Sequence, residues 1–207
     1  MKSRFSFVFV VLVAAGLSAH GQGTFVYDQQ SSDESSVAGD ASIQGDQPGQ
    51  SFTPTLSSVG FIRLFLQDGR PGVAGGATVY ISLRSTSISG TILGSTDPVT
   101  MPDSFVGFTN FFFSTAIPLI PGTTYFFQPV VQSGDFWHVA AYNSYNYPGG
   151  MEFTGTTPFP NNDLWFREGV VVVPEPLSAS LVVFGTGAFA LTARLRRKTS
   201  HERKPAV

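Results

Sequence analysis

Glycoside hydrolysis needs two carboxyl groups about 5–10 Å apart across a cleft. Asp135, Glu152, Asp163 and Glu168 are the acids that folding would have to bring together for it. Most acids in such segments are solvated loop residues, so a glycan hydrolase is the alternative reading and a non-catalytic protein the leading one. His138 stands in the alternating stretch "FWHVAAY", with no Gly-x-Ser-x-Gly elbow and no paired-histidine motif to accompany it. A lone histidine in a strand is expected to face solvent or to be satisfied in the core. Asp33, Glu34, Asp40 and Asp46 are hard oxygen ligands of the kind calcium takes, but no Asp-x-Asp-x-Asp-Gly loop organises them. No metal or other cofactor is expected.

Aromatic side chains offer a different chemistry. Their apolar faces stack on sugar rings while nearby polar groups fix orientation. Trp137, Tyr142, Tyr145, Tyr147 and Trp165 fall in the last third, and "AAYNSYNYPGG" mixes three of the tyrosines with Asn143, Asn146 and glycines. That composition suits an exposed recognition loop, and these five residues are the candidate ligand-binding set. The competing expectation is a glycine-rich connection whose tyrosines pack on the edge of the fold.

Positioning any of these requires a scaffold, and the body of the chain reads as strands. Ile62, Leu64 and Leu66 alternate with Arg63 and Gln67, and Val79, Ile81 and Leu83 with Tyr80, Ser82 and Arg84. "FTNFFFS" and "TTYFFQPVVQ" are aromatic enough to be covered on both faces. Asp68-Gly69, Pro71-Gly72, Gly75-Gly76 and Pro121-Gly122 mark turns. The expected fold is all-β, an antiparallel β-sandwich of jelly-roll type over residues 50–173, burying Phe111, Phe113, Phe127 and Phe61 or its neighbours between two sheets. Residues 22–49 form a polar, acidic lead-in segment in which "TFVYDQQ" reads as a first strand, with "QSFTPT" after it, and Gln29 to Gly49 as a long exposed loop or a partly disordered stretch. Leu119-Ile120-Pro121-Gly122-Thr123-Thr124-Tyr125 resembles the corner of fibronectin type III domains, where a tyrosine hydroxyl bonds upstream backbone.

Charge divides the chain sharply. Between residues 22 and 173 there are twelve acids, four arginines and no lysine, about −8. Nucleic-acid binders need a basic footprint, so nucleic acid is not an expected partner. The chain has no cysteine, which removes thiol catalysis and disulfides from consideration.

The ends carry targeting signals. Lys2 and Arg4 precede an apolar stretch over residues 5–17, and Ala19-His20-Gly21 offers small residues for a cut before Gln22. This is a secretory signal peptide, 1–21, handled by the Sec translocon and signal peptidase. At the other end, residues 177–193 are seventeen positions without charge, roughly 26 Å as a helix, extendable through Leu195. Arg194, Arg196, Arg197, Lys198, Arg203 and Lys204 follow, against the single acid Glu202. The excess of positive charge places that side in the cytoplasm, and the signal peptide places the body outside. The expected flanks of the sandwich are thus a signal helix and a C-terminal transmembrane helix.

Val173-Pro174-Glu175-Pro176, one apolar span, then Arg194-Leu195-Arg196-Arg197-Lys198 resembles the PEP-CTERM sorting signal, here residues 174–207. The resemblance implies recognition by an exosortase, a membrane-embedded transpeptidase-like enzyme. It further implies removal of the tail near Pro-Glu-Pro and delivery to the cell surface or the exopolysaccharide matrix. The nine residues after Lys198 exceed the usual short basic end. Two prolines remove two backbone donors and hold the stub extended, a shape that suits a protease groove. "Tyr27-Asp28-Gln29-Gln30", "Gly49-Gln50-Ser51-Phe52-Thr53-Pro54" and "Asp163-Leu164-Trp165-Phe166-Arg167-Glu168-Gly169" read like signatures of the small secreted domains such tails carry. That group implies no activity. The sequence therefore points to an exported, surface-sorted protein, anchored in the inner membrane before processing, with exopolysaccharide as the expected contact.

Overall fold

The computed structural model describes residues 23–73 and 75–173. The signal peptide, the Pro-Glu-Pro motif, the span over 177–193 and the basic end lie outside the described residues, except Val173, which is exposed beyond the last strand. The compact unit is Thr24–Val172. Among the described residues there is no helix.

The strands are β1 (Thr24–Gln30), β2 (Ala41–Ser42), β3 (Pro48–Phe52), β4 (Ser58–Asp68), β5 (Ala77–Ser85), β6 (Ile92–Ser95), β7 (Val99–Met101), β8 (Val106–Pro118), β9 (Tyr125–Gly134), β10 (Trp137–Val139), β11 (Ala141–Tyr142), β12 (Glu152–Thr154), β13 (Thr157–Phe159), β14 (Asp163–Leu164) and β15 (Phe166–Val172). Every pairing among them is antiparallel. In the first sheet β4 is central. It pairs β8 along one edge, and β15 followed by β10 along the other; β1 extends β15 and β2 extends β10. The second sheet runs β13-β12-β3-β9-β5, with β6 and β7 sharing the far edge of β5. A short pair, β11 with β14, stands apart.

The alternation in the sequence produces a β-sandwich-like core. Ile62, Leu64, Leu66, Phe111 and Phe113 of the first sheet join Val79, Ile81, Leu83, Phe52 and Phe127 of the second in one buried cluster. Phe166 of β15 meets Phe127 of β9 edge-on at 5.3 Å, which ties the two sheets at their centre. A bulge in β4 between Val59 and Phe61 shifts the register. It takes Phe61 off the core face; the ring is fully buried nonetheless, under Phe25, Tyr27 and Phe112 on the outer face. Gly169 is required where β15 meets β1, because a Cβ there would lie 2.0 Å from the carbonyl oxygen of Val26.

The tyrosine corner forms as its residues suggest. Tyr125 opens β9, is buried, and its hydroxyl accepts the N–H of Ile120 at 2.9 Å; Gly122 takes a φ of 77° in the turn between them.

The lead-in segment is not a separate piece. Residues 24–49 supply β1, β2 and the start of β3, so the sandwich begins at Thr24 rather than at residue 50. The stretch 31–40 lies over one end of the first sheet's outer face. There Trp165 Nε1 donates to Asp33 O at 3.0 Å, and the hydroxyl of Tyr145 both donates to Ala38 O and accepts from Ala38 N. A second buried cluster forms beneath it from Ala140, Tyr145 and Trp165, with Val37, Phe65 and Phe108 against it. The segment holds this position through backbone hydrogen bonds and a single apolar side chain, Val37.

Candidate functional site

The five candidate aromatic residues do not form a stacking platform. Trp137 and Trp165 are fully buried and Tyr145 and Tyr147 nearly so; only Tyr142, 42% exposed, offers its ring to solvent. The polar atoms of Tyr145, Tyr147 and Trp165 explain their burial, whereas Trp137 Nε1 is buried without a partner. The Tyr147 hydroxyl donates to Gln29 Oε1 at 3.1 Å and accepts from Thr53 N at 3.0 Å. Trp165 packs on Phe108 at 4.4 Å, and Trp137 stacks near Phe105 at 6.1 Å in the main core. A buried hydroxyl or indole N–H with a backbone partner is a structural group.

These contacts assemble the three sequence signatures into one buried polar network. Gln50 Nε2 donates to Asp163 Oδ1 at 2.7 Å, and Gln50 Oε1 accepts from Leu164 N at 2.8 Å. Asp163 Oδ2 accepts from Tyr147 N at 3.0 Å. Asp28, at the bulge of β1, accepts from the N–H groups of Thr55 and Leu56, from the Thr55 hydroxyl and from Gln29. Glu168 is fully buried beside Asp28 and the backbone N–H of Gln29. The network holds β1, β3, β14 and β15 together at one end of the sandwich.

Its carboxyls titrate in opposite directions. Burial pushes Glu168 up to about 9, with the charge of Asp28 beside it adding to the effect. Burial also works to raise Asp28, but its donors, led by the Leu56 N–H, outweigh it and hold the group below its usual range. A neutral Glu168 can donate its proton to the Asp28 carboxylate, so the pair carries one charge rather than two. Burial pushes Asp163 up to about 6, against the N–H of Tyr147 and the amide of Gln50. Glu152 is raised as well, by burial first and by Asp163 and Asp46 nearby. Of the four acids proposed for hydrolysis, Glu152, Asp163 and Glu168 are thus closed off from solvent. Asp135 sits in the turn from β9 to β10, where its carboxylate accepts the Phe136 N–H.

The other candidates are separated. Glu34 pairs with Arg63 at 3.0 Å and with Arg167 at 3.3 Å. His138 Nδ1 lies 3.0 Å from Asp40 Oδ2, and Asp46 accepts the Ser42 N–H at 2.9 Å. Among the described residues no group of three or more His, Asp or Glu side chains is placed to hold a metal ion.

What the surface does present is a groove. One depression of about 320 Å³ is lined by Ile43, Gln44, Gln47, Gln128, Pro129, Val130 and Val131. A second of about 220 Å³ shares Gln47 and Gln128 and continues past Arg84, Ile88, Ser89, Gly155 and Thr156. Gln128 Nε2 donates to Gln47 O at 3.0 Å, and Gln47 holds a positive φ of 50°. On a domain with twelve acids this lining contains none. Sequence reasoning passed over it because its residues come from distant strands; only the outward register of Gln128, between the core residue Phe127 and Pro129, hints at it.

No protein-family model matches the chain, and no curated protein does.

Proposed function

We propose that this chain is an exported, surface-sorted, non-catalytic protein, anchored in the inner membrane by its tail until an exosortase removes that tail, and then resident at the cell surface or in the exopolysaccharide matrix. One observation carries the reading. Pro174-Glu175-Pro176, an uncharged run and a basic end follow one another without interruption, and they begin directly after the last strand, which ends at Val172. An extended stub placed there is available to a protease without unfolding the sandwich.

The order β1-β15-β4-β8 in one sheet and β3-β9-β5 with β6 and β7 in the other supports a jelly-roll winding, since the chain changes sheet at most steps. Folds of this kind serve as glycan-binding modules as readily as enzymes. The burial of Glu152, Asp163 and Glu168 favours the binding role here. We place the polysaccharide contact in the groove around Gln47 and Gln128 rather than on the buried tryptophans. Amide side chains offer a donor and an acceptor side by side, a match for vicinal sugar hydroxyls, and the lining has no carboxylate to repel an acidic polymer.

Mass spectrometry of the mature C-terminus, with and without an exosortase in the host, tests the sorting claim. A chain ending near Pro174 only when the enzyme is present is the expected result. A chain ending at Val207 in both hosts would remove the claim. For the glycan contact, Gln128→Ala is expected to weaken polysaccharide binding about tenfold, a loss of roughly 1.4 kcal/mol, comparable to one to two hydrogen bonds; unchanged affinity in a titration would exclude the groove.

A further inference from the structure

The outer face of the first sheet carries an aromatic patch that the interior does not need. Phe25, Tyr27 and Phe112 are each 37–41% exposed, and together they roof the buried ring of Phe61, at centroid distances of 5.0, 5.7 and 6.3 Å. On this face Phe25 pairs with Val171 and Tyr27 with Gly169, and Arg167, Arg63 and Asn110 follow, the two arginines held by Glu34. Two of the four arginines of an otherwise acidic domain therefore stand beside it, and the guanidinium of Arg167 lies 5.2 Å from the Tyr27 ring. Contiguous exposed apolar surface of this kind marks a contact site.

Its position says what the contact is. Thr24 pairs with Val172, and Phe25 with Val171, so the patch lies at the end of the sheet where the chain leaves the domain. From Val173 only Pro174, Glu175 and Pro176 separate the sandwich from the uncharged run over 177–193. Four extended steps span about 13 Å, little more than the depth of a head-group layer. We infer that Phe25, Tyr27 and Phe112 form a membrane-facing patch that seats the domain on the lipid interface while the tail is uncut. Aromatic side chains favour this layer. A patch of three rings holds only while a tether keeps it close, so tail removal frees the domain. The inference rests on the proposed membrane tail.

The absence of cysteine makes the test clean. The full chain is reconstituted into phosphatidylethanolamine–phosphatidylglycerol vesicles containing nitroxide lipids, with an environment-sensitive dye on a single introduced cysteine. Tyr27→Cys reports on the patch. Val106→Cys, exposed on the same face of β8 but six residues from Phe112, about 20 Å along the strand, is the control, and Ala188→Cys reports on the tail. Quenching at position 27 at least twice that at 106 is expected, falling to the level of 106 when Phe25→Ser and Phe112→Ser are added, with 188 quenched throughout. Equal quenching at 27 and 106 with 188 still quenched would overturn the patch and leave the tail reading standing. An unquenched dye at 188 would overturn both. A spectral shift at 27 caused by soluble polysaccharide in lipid-free protein would assign the patch to glycan instead.

Discussion

Trp165→Ala is expected to destabilise the domain by about 3–5 kcal/mol, the usual cost of emptying a buried tryptophan site. For a domain of this size that lowers the thermal midpoint by roughly 10 °C. The residue is fully buried. Its removal takes away the ring packed on Phe108 and the indole N–H that holds the carbonyl of Asp33. The stretch 31–40 loses one of its attachments, so amide exchange in that stretch should accelerate more than exchange in β9. Trp165→Phe keeps most of the apolar volume and loses the hydrogen bond, and is expected to cost less. Tyr142→Ala, at the exposed member of the same aromatic set, should change stability by about 0.5 kcal/mol or less. A Trp165→Ala protein with unchanged melting and abolished polysaccharide binding would restore the surface-platform reading that burial argues against.

Glu168→Gln is expected to flatten the decline of stability with pH. Glu168 is raised to about 9 in the folded domain from a reference value of 4.5. Its contribution is fully present below pH 4.5, where both folded and unfolded chains hold the proton. Above that the unfolded chain releases the proton and the folded one retains it, so stability falls until pH passes about 9. The slope contributed by one such group approaches about 1.4 kcal/mol per pH unit between the two values. Glutamine keeps the shape and a donor for Asp28 and has nothing to ionise. Thermal midpoints of the variant should exceed those of the wild type increasingly from pH 6.5 to 9. Asp163, raised to about 6, adds a similar loss only between about pH 4 and 6, and Asp28, held low, opposes it by losing stability as pH falls through its own lowered value. Parallel curves for wild type and Glu168→Gln above pH 6.5 would show that Glu168 is ionised in the folded protein.

The core was legible because it follows a period of two. Ile62, Leu64 and Leu66, and Val79, Ile81 and Leu83, all turn inward, and turn residues separate their strands. The tyrosine corner was legible because its geometry is local, five residues from Ile120 to Tyr125. The placement of the tyrosine-rich loop was not. A tyrosine-rich, asparagine-rich loop has the same composition whether its hydroxyls face water or backbone. Tyr145 and Tyr147 find their partners at Ala38, Thr53 and Gln29, about a hundred residues away. The polar stretch after Gln30 is a mostly exposed loop, as its composition suggests, but composition does not show that it covers Trp165 with a carbonyl group and a single valine in the packed cluster. Alternation turns Glu168 inward with Phe166, and it was missed because an acid is usually exposed.

Membrane insertion of residues 177–193 with the arginines on the cytoplasmic side is the claim on which sorting, anchoring and the aromatic patch all depend. A peptide tag fused after Val207, in a host without exosortase, tests it most directly. Protease added to intact cells whose outer membrane has been opened should digest the sandwich side and spare the tag. Digestion of the tag under those conditions, or recovery of the full-length chain from the cytosol, would contradict the account.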